Sequence, residues 1–405
     1  METSEFSSQS PGKLVPITFT EYPDGQMEPP RTTSTHAFVP YPLPPQIDWR
    51  SLCLEHFDAY TRTVAELGRL NGLHKRVGNA AGLLRTLWMR EAKLSSEIED
   101  IDTTAEELVL AGAGRRLGVR ENSLESWNYV TALEHGVHSE LPFSTRVIRE
   151  MHERLLTGVR GEENRPGQFR DCNVYLGDRS RGVKHARFVP PPAGENVVHA
   201  MSDLEKFVNT EQPDIPPLFV IALTHYQFET IHPFRDGNGR IGRVLISRSL
   251  VKESLLDHPV VYMSAYINAH KQTYVDLLRE ISRRGGDAWS NWIGFILDAI
   301  RTQALDAIRR SENLITLREE FHHRLKESSA PARLFKVVDQ LFSMPAINIA
   351  EIIKETGVTK PTAAADMERL EKAGILTEYT GRERDRDWLA RDIIKVIEEE
   401  THPNE

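Results

Sequence analysis

The segment 232–243, which reads His-Pro-Phe-Arg-Asp-Gly-Asn-Gly-Arg-Ile-Gly-Arg, brings several chemically active residue types together. Gly237 and Gly239 permit backbone angles that other residues avoid, so consecutive N–H groups around Asn238 can point inward and surround an anion. The start of a following helix would add its own N–H groups to the same site. The segment therefore predicts a loop that binds phosphate.

The neighbouring side chains predict what happens to that phosphate. Asp236 offers a hard oxygen ligand, and Mg²⁺ usually takes one or two carboxylates together with phosphate oxygens and water. Arg240 and Arg243 are three residues apart on one helical face, where their guanidinium groups fit phosphate oxygens. Histidine is the side chain whose ordinary pKa lies near neutral pH, so His232 is a candidate to accept the proton of an incoming hydroxyl. We expect a phosphate-transferring enzyme that holds a magnesium-bound polyphosphate beside a histidine base.

The complete string resembles the signature of the Fic family, His-x-Phe-x-Asp-Gly-Asn-Gly-Arg-x-x-Arg, at every fixed position. The resemblance runs from about Tyr41 through Leu297 and includes the segments 166–170, 188–192 and 262–266. It implies transfer of AMP from ATP to a Tyr, Thr or Ser hydroxyl, either of a target protein or of the chain itself. Pyrophosphate would be the leaving group.

The resemblance also implies a role for individual residues of the loop. His232 would be the general base, and Asp236 would hold Mg²⁺ against the phosphates of ATP. Five residues would bind the phosphates themselves: Gly237, Asn238, Gly239, Arg240 and Arg243.

Two further regions follow from the same resemblance. A flap at about 183–191 would register the target chain by main-chain pairing, through His185, Ala186, Arg187 and Phe188. Tyr274 would lie beside the nucleotide, although Val275 stands where many relatives have a second aromatic residue.

A possible brake lies at the end of a helical pattern that begins near Leu83. Ser95 and Glu99 are four residues apart, and Fic members with an inhibitory helix carry Ser or Thr, three residues, Glu, and then Gly or Asn. By this resemblance Glu99 would pair with Arg243 and keep that cation from the γ-phosphate. Asp100 departs from the pattern, because Gly or Asn adopts the left-handed backbone of a helix end more readily than Asp.

Two other classes of function remain open from the residues alone. The same scaffold could transfer another group, such as UMP or phosphocholine, or could remove AMP. Alternatively, the chain could be a winged-helix transcription regulator whose Fic core only senses nucleotide. The Asp-Gly-Asn-Gly run at 236–239 favours AMP transfer over transfer of phosphate from a reversed nucleotide.

Apolar periodicity predicts the elements that position these residues. From Trp49 onward apolar residues recur every three or four positions, which predicts an all-α fold with the Fic helical core. The segment 161–192 is the exception, since its Gly and Pro residues predict loops and a short β-hairpin flap. Nine of the 23 prolines fall within residues 1–47, which predicts a flexible Pro-rich arm. Predicted helices cover 124–136, 144–157, 195–209, 216–230, 240–256, 266–283 and 287–326.

The C-terminal part has its own pattern. Helices at 332–342, 349–355 and 359–373 and a strand at 375–379 predict a winged helix-turn-helix domain. Residues 331–393 contain ten Lys and Arg against eleven Asp and Glu, so we expect protein interaction or a homodimer rather than DNA binding. The predicted organisation is an arm at 1–47, a helical region with the inhibitory helix at 48–120, the Fic catalytic core at 121–300, a linking helix at 301–330 and the winged-helix domain at 331–405.

Composition limits the kind of protein. A net charge of −9 over 405 residues gives no bulk attraction to nucleic acid or anionic membrane. Cys53 and Cys172 are the only cysteines, which excludes a disulfide framework and a thiolate zinc site. No apolar run approaches the roughly 18 residues of a membrane helix. We expect a cytoplasmic enzyme that uses ATP and Mg²⁺ and acts on a hydroxyl-bearing target protein.

Overall fold

The computed structural model describes residues 3–21, 31–75, 80–115, 118–178 and 181–399. These residues are mainly α-helical, as the apolar periodicity predicts. The helices are α1 Trp49–Glu55, α2 Phe57–Lys75, α3 Ala80–Ile98, α4 Ala105–Gly112, α5 Glu121–His138, α6 Thr145–Leu156, α7 Glu195–Asn209, α8 Pro217–Ile231, α9 Asn238–Lys252, α10 Ser264–Ala269, α11 Lys271–Arg284, α12 Ala288–Glu327, α13 Arg333–Leu341, α14 Ile349–Thr356, α15 Lys360–Lys372 and α16 Arg391–Glu398. The strands are β1 Gly12–Glu21, β2 Arg31–Pro40, β3 Ala346–Asn348, β4 Thr377–Glu378 and β5 Asp387–Leu389.

Contacts divide the chain into two compact units, each built from three segments. The first unit contains Met1–Val64, Thr131–Leu255 and Tyr266–Arg301, and the second contains Ala65–Val130, Leu256–Ala265 and Thr302–Glu405. The predicted linking helix at 301–330 is not a separate element, because α12 is one continuous helix of 40 residues. The predicted helix at 266–283 is interrupted, because α10 ends before His270 and α11 begins after it.

The prediction of a flexible arm at 1–47 is corrected by a β-hairpin. β1 and β2 pair antiparallel, from Gly12 opposite Pro40 to Glu21 opposite Arg31. Ile17 and Phe19 point to a buried side while Thr18 is exposed, which is the two-residue alternation of a strand with one covered face. Pro16 lies within β1, so the proline content of this region does not exclude strands.

In the first unit, the central helix is α8. Its sequence is apolar on nearly every side, and it is buried along almost its whole length. Pro217 occupies the first helical position, where the missing N–H has no partner to lose. The indole N–H of Trp292 donates to the carbonyl of Ala222 at 2.9 Å, which joins α12 to α8. α8 and the following α9, both largely buried, therefore hold the two ends of the loop between them.

The second unit ends in a small mixed region. α14 and α15 are joined by a turn at Gly357, whose φ of 70° is left-handed, and β5 lies between β3 and β4 in an antiparallel sheet. The two helices and the turn occur where the sequence predicts them, whereas β3, β5 and α16 were not predicted. The winged-helix assignment stays a prediction. Across the described ranges, no helix is both long enough and apolar enough to cross a membrane.

Candidate active site

Residues 232–237 connect α8 to α9 and contain three of the predicted site residues. α8 ends because His232 adopts a left-handed backbone, with φ 49°, while its N–H still donates to the carbonyl of Phe228 at 2.9 Å. Gly237 is also left-handed, with φ 72°, where a side chain would be strained. The two left-handed residues turn the chain out of one helix and directly into the first turn of the next.

The side chain of Asn238 closes this loop on itself. Its Oδ1 accepts a hydrogen bond from the N–H of Phe234 at 2.9 Å, and its Nδ2 donates to the carbonyl of the same residue at 2.9 Å. Both main-chain groups of Phe234 are thereby paired, although Phe234 is buried and lies outside any helix. Asn238 thus has a structural role besides the phosphate contact that the family resemblance implies.

Arg240 and Arg243 lie in the first turns of α9 and are only 2% and 3% exposed. His225, on the neighbouring helix α8, has its pKa lowered to about 3. Burial is the main cause, and the positive charge of Arg243 lowers the pKa further. Two buried cations therefore stand at a helix N-terminus, whose N–H groups favour negative charge in the same place. This concentration of positive charge suits a polyphosphate.

Asp236, two residues before the start of α9, is exposed. Its Oδ1 accepts the N–H of Gly237 at 2.7 Å, and a Cβ on Gly161 would lie 3.4 Å from its Oδ2. The missing side chain at Gly161 thus keeps space open around the carboxylate. No cluster of three or more His, Cys, Asp or Glu within the described ranges is arranged to hold a metal ion. A single carboxylate fits Mg²⁺, which completes its shell with phosphate oxygens and water.

A cavity of about 270 Å³ adjoins the C-terminal end of α8. The predicted nucleotide contact Tyr274 lines it and is 9% exposed, and its hydroxyl lies 2.9 Å from Nε2 of His225. Other residues of the lining come from α8, from α11 and from the region of the predicted flap: Glu229, Thr230, Val275, Leu278, Leu176 and Phe188. The cavity therefore lies next to the point where α8 ends and the loop begins.

Two sequence profiles match this part of the chain. Residues 142–250 match the Fic/DOC family, and residues 57–138 match the Fic/DOC family N-terminal domain. Residues 57–250 therefore match, in order, the N-terminal domain and the Fic domain of this family. The Fic domain includes α6, α7, α8 and the whole loop from His232 to Arg243.

Known relatives agree with this assignment. Protein adenylyltransferase Fic of Drosophila grimshawi is 30% identical over 145 residues, which cover 34% of this chain and 28% of that relative. The protein of the same name from Culex quinquefasciatus is 29% identical over 203 residues, or 50% of this chain and 34% of that relative. The chain spans about a third of the length of these curated relatives.

A solved structure agrees at the level of the fold. The crystal structure of a Fic family protein from Desulfovibrio desulfuricans G20 aligns with 82% of this chain and 95% of its own chain, with a TM-score of 0.50 and 21% sequence identity. The mainly helical Fic fold is therefore confirmed.

The predicted flap, residues 183–191, forms one β-bridge, which joins it to the segment just before it. Leu176 and Phe188 form an isolated antiparallel bridge, in which the N–H of Leu176 donates to the carbonyl of Phe188 at 2.8 Å. His185 ends a single 3₁₀ turn, so the described residues contain one bridge instead of the expected hairpin ladder. The side chains of His185 and Arg187 are exposed, that of Ala186 is half-buried and that of Phe188 is buried.

The predicted flap rests on the N-terminal hairpin. Val183 and Val189 are buried in one apolar cluster with residues of both strands, Ile17, Phe19 and Ala37. The N–H of Phe38 donates to the carbonyl of Val189 at 2.8 Å, and the rings of Phe38 and Phe188 have centroids 5.8 Å apart. The hairpin thus supports the segment that is predicted to receive the target, which the sequence did not reveal.

The predicted inhibitory segment lies at the end of α3 in the second unit. Ser95 is fully buried within the helix, whereas Glu99 lies one residue beyond its end at Ile98 and is exposed. Asp100 has φ 60°, so it adopts the left-handed backbone for which Gly or Asn is preferred. Asp at position 100, where the resemblance expects Gly or Asn, therefore still allows the helix to end in a left-handed residue.

Arg170 holds the loop from outside the signature and was not predicted as a site residue. It is 2% exposed and donates from Nε to the carbonyl of His232 at 2.8 Å, and from an η nitrogen to the carbonyls of Pro191 and Ile231. Burial lowers its pKa to about 10, so it stays protonated at neutral pH. The guanidinium group of Arg170 therefore connects the backbone of His232, the candidate base, to Pro191 at the end of the predicted flap.

His152, on α6, is a second residue that sequence reasoning missed. It is fully buried, and burial lowers its pKa from the ordinary 6.5 to about 4, so it is neutral at physiological pH. It contacts Gly167, Phe234 and Asp236. The amphipathic pattern of α6 places His152 on the buried face, but that position does not distinguish a functional histidine from one that only packs in the core.

Proposed function

We propose that this Fic protein transfers AMP from ATP to a hydroxyl of a target protein, with pyrophosphate as the leaving group. The supporting observation is the pair of buried cations, Arg240 and Arg243, at the N-terminus of α9 beside the exposed carboxylate of Asp236. A polyphosphate with a bound divalent cation is the ligand that such a pair of opposite charges favours. The relatives named protein adenylyltransferase Fic support the same activity.

The donor nucleotide would lie across the loop. The cavity beside Tyr274 accepts the base, because its walls include apolar side chains of α11 such as Leu278. The segment 237–239 and the guanidinium groups of Arg240 and Arg243 would then bind the phosphates. These groups would lower the barrier by positioning ATP and neutralising its charge.

Asp236 would hold Mg²⁺ at this site. When bound, the ion would neutralise charge on the phosphates that the leaving pyrophosphate retains. Gly161 leaves room beside the carboxylate for the phosphate oxygens and water of the shell.

His232 would be the general base. Its imidazole takes the proton of the acceptor hydroxyl as the hydroxyl oxygen bonds to the α-phosphorus of ATP. The bond between the α-phosphorus and the bridging oxygen breaks, and that oxygen leaves with pyrophosphate. Arg170 keeps the His232 backbone in place by donating to its carbonyl at 2.8 Å. Because the hydroxyl oxygen attacks the α-phosphorus directly, no covalent intermediate on the enzyme is required.

The acceptor would bind along the predicted flap, next to the exposed side chains of His185 and Arg187. Glu99 would act as the brake by pairing with Arg243. Cytoplasmic location, a homodimer and a protein-interaction role of the predicted winged-helix region stay predictions from the sequence.

Intact-mass spectrometry after incubation with Mg²⁺ and ATP tests the proposal. Wild type, Glu99→Gly and His232→Ala are incubated alone and with a mixture of candidate targets. We expect an adduct of the mass of AMP with the first two forms and none with His232→Ala. Parallel incubations with UTP and with CDP-choline test the other donors, and an adduct that appears only with one of these contradicts AMP transfer.

A further inference from the structure

His152 joins three parts of the Fic domain through its ring nitrogens and its face. The N–H of Gly167 donates to Nδ1 at 2.9 Å, and Nε2 lies 3.0 Å from the carbonyl oxygen of Asp236. An amide N–H can only donate and a carbonyl can only accept, so Nδ1 is bare and Nε2 carries the hydrogen. The two neighbours thus fix one neutral tautomer and one ring orientation.

The bond to Asp236 determines which way the next peptide group faces. The peptide between Asp236 and Gly237 is trans, since the cis bond among the described residues is Leu43-Pro44. In a trans peptide the carbonyl and the following N–H point in opposite directions. With the carbonyl held by His152, the N–H of Gly237 is directed away from α6, towards the carboxylate Oδ1 that accepts it at 2.7 Å.

Packing leaves the loop little freedom to turn this peptide over. The ring of His152 stacks on Phe234 with centroids 3.7 Å apart, so the start and the end of the loop are both seated on the same side chain. A Cβ at Gly237 would lie 3.1 Å from Leu155 Cδ2 and 3.6 Å from His152 Cδ2. The backbone of Gly237 therefore lies directly against α6, and its orientation depends on the group that α6 presents there.

We infer that His152 is a positioning residue: by holding the Asp236 carbonyl it fixes the Gly237 N–H that donates to the Asp236 carboxylate, and thereby sets the placement of that carboxylate and the affinity for the metal-bound polyphosphate. The inference rests on the proposed function, since the polyphosphate is that of ATP. The contact acts through the main chain of Asp236, and the imidazole itself touches neither the metal ligand oxygens nor the reacting atoms.

Three substitutions separate the two hydrogen bonds of His152. In His152→Gln the amide nitrogen reaches the place of Nε2 and can still donate to the Asp236 carbonyl. In His152→Asn the amide oxygen occupies the place of Nδ1 and can still accept from Gly167, while the carbonyl loses its donor. His152→Phe keeps the stack on Phe234 and loses both bonds. His135→Gln, a histidine of α5 that bonds Glu150 at 2.9 Å, is the matched control.

The experiment is calorimetric binding of Mg²⁺–ATP and of Mg²⁺–tripolyphosphate, with every variant made in the Glu99→Gly chain. We expect His152→Asn and His152→Phe to raise both Kd values by roughly tenfold, as loss of about one hydrogen bond implies, and His152→Gln to stay within about threefold of the parent. KM for ATP should follow Kd, whereas kcat at saturating ATP should change less. The melting temperatures of the Gln and Asn variants should be similar.

The results distinguish a failure of the role inferred for His152 from a failure of the proposed AMP transfer. Equal Kd values for the Gln and Asn variants, or losses of affinity that only follow the losses of melting temperature, overturn the inference. If the parent binds both ligands and the variants rank as expected, but no AMP is transferred, the inference holds and the proposed activity is wrong. If the parent binds neither ligand, both are wrong.

Discussion

The imidazole of His152 lies flat on the ring of Phe234, with centroids 3.7 Å apart and planes 3° from parallel. Phe234 is the fixed apolar residue of the loop signature and is fully buried. A flat contact between an imidazole and a benzene ring excludes water from both faces and gains close dispersion contacts. The phosphate loop is therefore seated on α6 by an aromatic pair whose members come from distant parts of the sequence.

We predict that Phe234→Ala lowers the stability of the first unit by about 3–5 kcal/mol, the usual cost of removing a buried benzene ring. Phe234→Leu keeps most of the volume but not the flat contact, and should cost less. Thermal unfolding followed by circular dichroism measures both. An unchanged melting temperature for the alanine variant would show that the stack does not hold the loop.

We predict that Glu99→Gly increases the rate of AMP transfer. The side chain of Glu99 is exposed at the end of α3, so its removal costs no core packing, and it would release Arg243 for the γ-phosphate. Labelled ATP and a gel readout compare the rates. Glu97→Gln is the control, because Glu97 lies two residues away and pairs with Lys93 within α3. Equal rates for Glu99→Gly and wild type would remove Glu99 from regulation.

We predict acid destabilisation of the second unit through His74. His74 is 3% exposed, its Nε2 lies 3.1 Å from Ser311 Oγ, and burial followed by the charge of His258 lowers its pKa from 6.5 to about 4. The unfolded chain therefore takes up a proton at higher pH than the folded chain. The contribution to stability is complete above about pH 6.5 and is lost as the pH falls to about 4, by up to about 1.4 kcal/mol per pH unit.

Melting temperatures at pH 7 and pH 5 test this prediction. The decrease between the two should be smaller for His74→Gln than for wild type, because glutamine does not titrate. Other buried histidines contribute equally to both proteins and cancel. Identical decreases would mean that His74 binds its proton equally in the folded and unfolded chains.

We predict that Phe38→Leu raises KM for the acceptor protein by roughly threefold to tenfold, which corresponds to at most about 1.4 kcal/mol. Phe38 packs on Phe188 at 5.8 Å, and Phe188 belongs to the predicted flap. KM for ATP should stay unchanged. Thr18→Ala on the exposed side of the same hairpin is the control. A change in KM for ATP alone would contradict a role of the hairpin in acceptor binding.

The phosphate loop could be predicted from sequence because its functional residues are contiguous. Asp236, Gly237 and the two arginines stand within eight positions, so type and spacing were enough to indicate their chemistry. The residues that hold the loop could not be found in this way. His152 bonds Asp236 from 84 positions away and Arg170 bonds His232 from 62 positions away, and neither stands in a local pattern that distinguishes it from other core residues.

The helices predicted between residues 124 and 373 lie within a few residues of their predicted bounds, apart from the interruption at His270, whereas short strands and terminal elements were missed. β3 and β5 contain three residues each, too few for any periodicity to appear. α16 depends on a contact that no local sequence contains: Arg310, 1% exposed, donates to the carbonyls of Val396 and Glu399 at 2.8 Å each, near its C-terminal end. Tertiary contacts of this kind decide where such elements form.

The hairpin of β1 and β2 has a practical consequence for anyone who shortens the chain. Because residues 1–47 are rich in proline, they could be mistaken for a flexible arm and removed, which would leave a fragment that begins at Trp49. Such a fragment would uncover Val183 and Val189, which are fully buried in the intact chain, and would leave an apolar patch facing water. Its solubility would fall, and inactivity of the fragment would then reflect association of exposed surfaces instead of the chemistry of the loop.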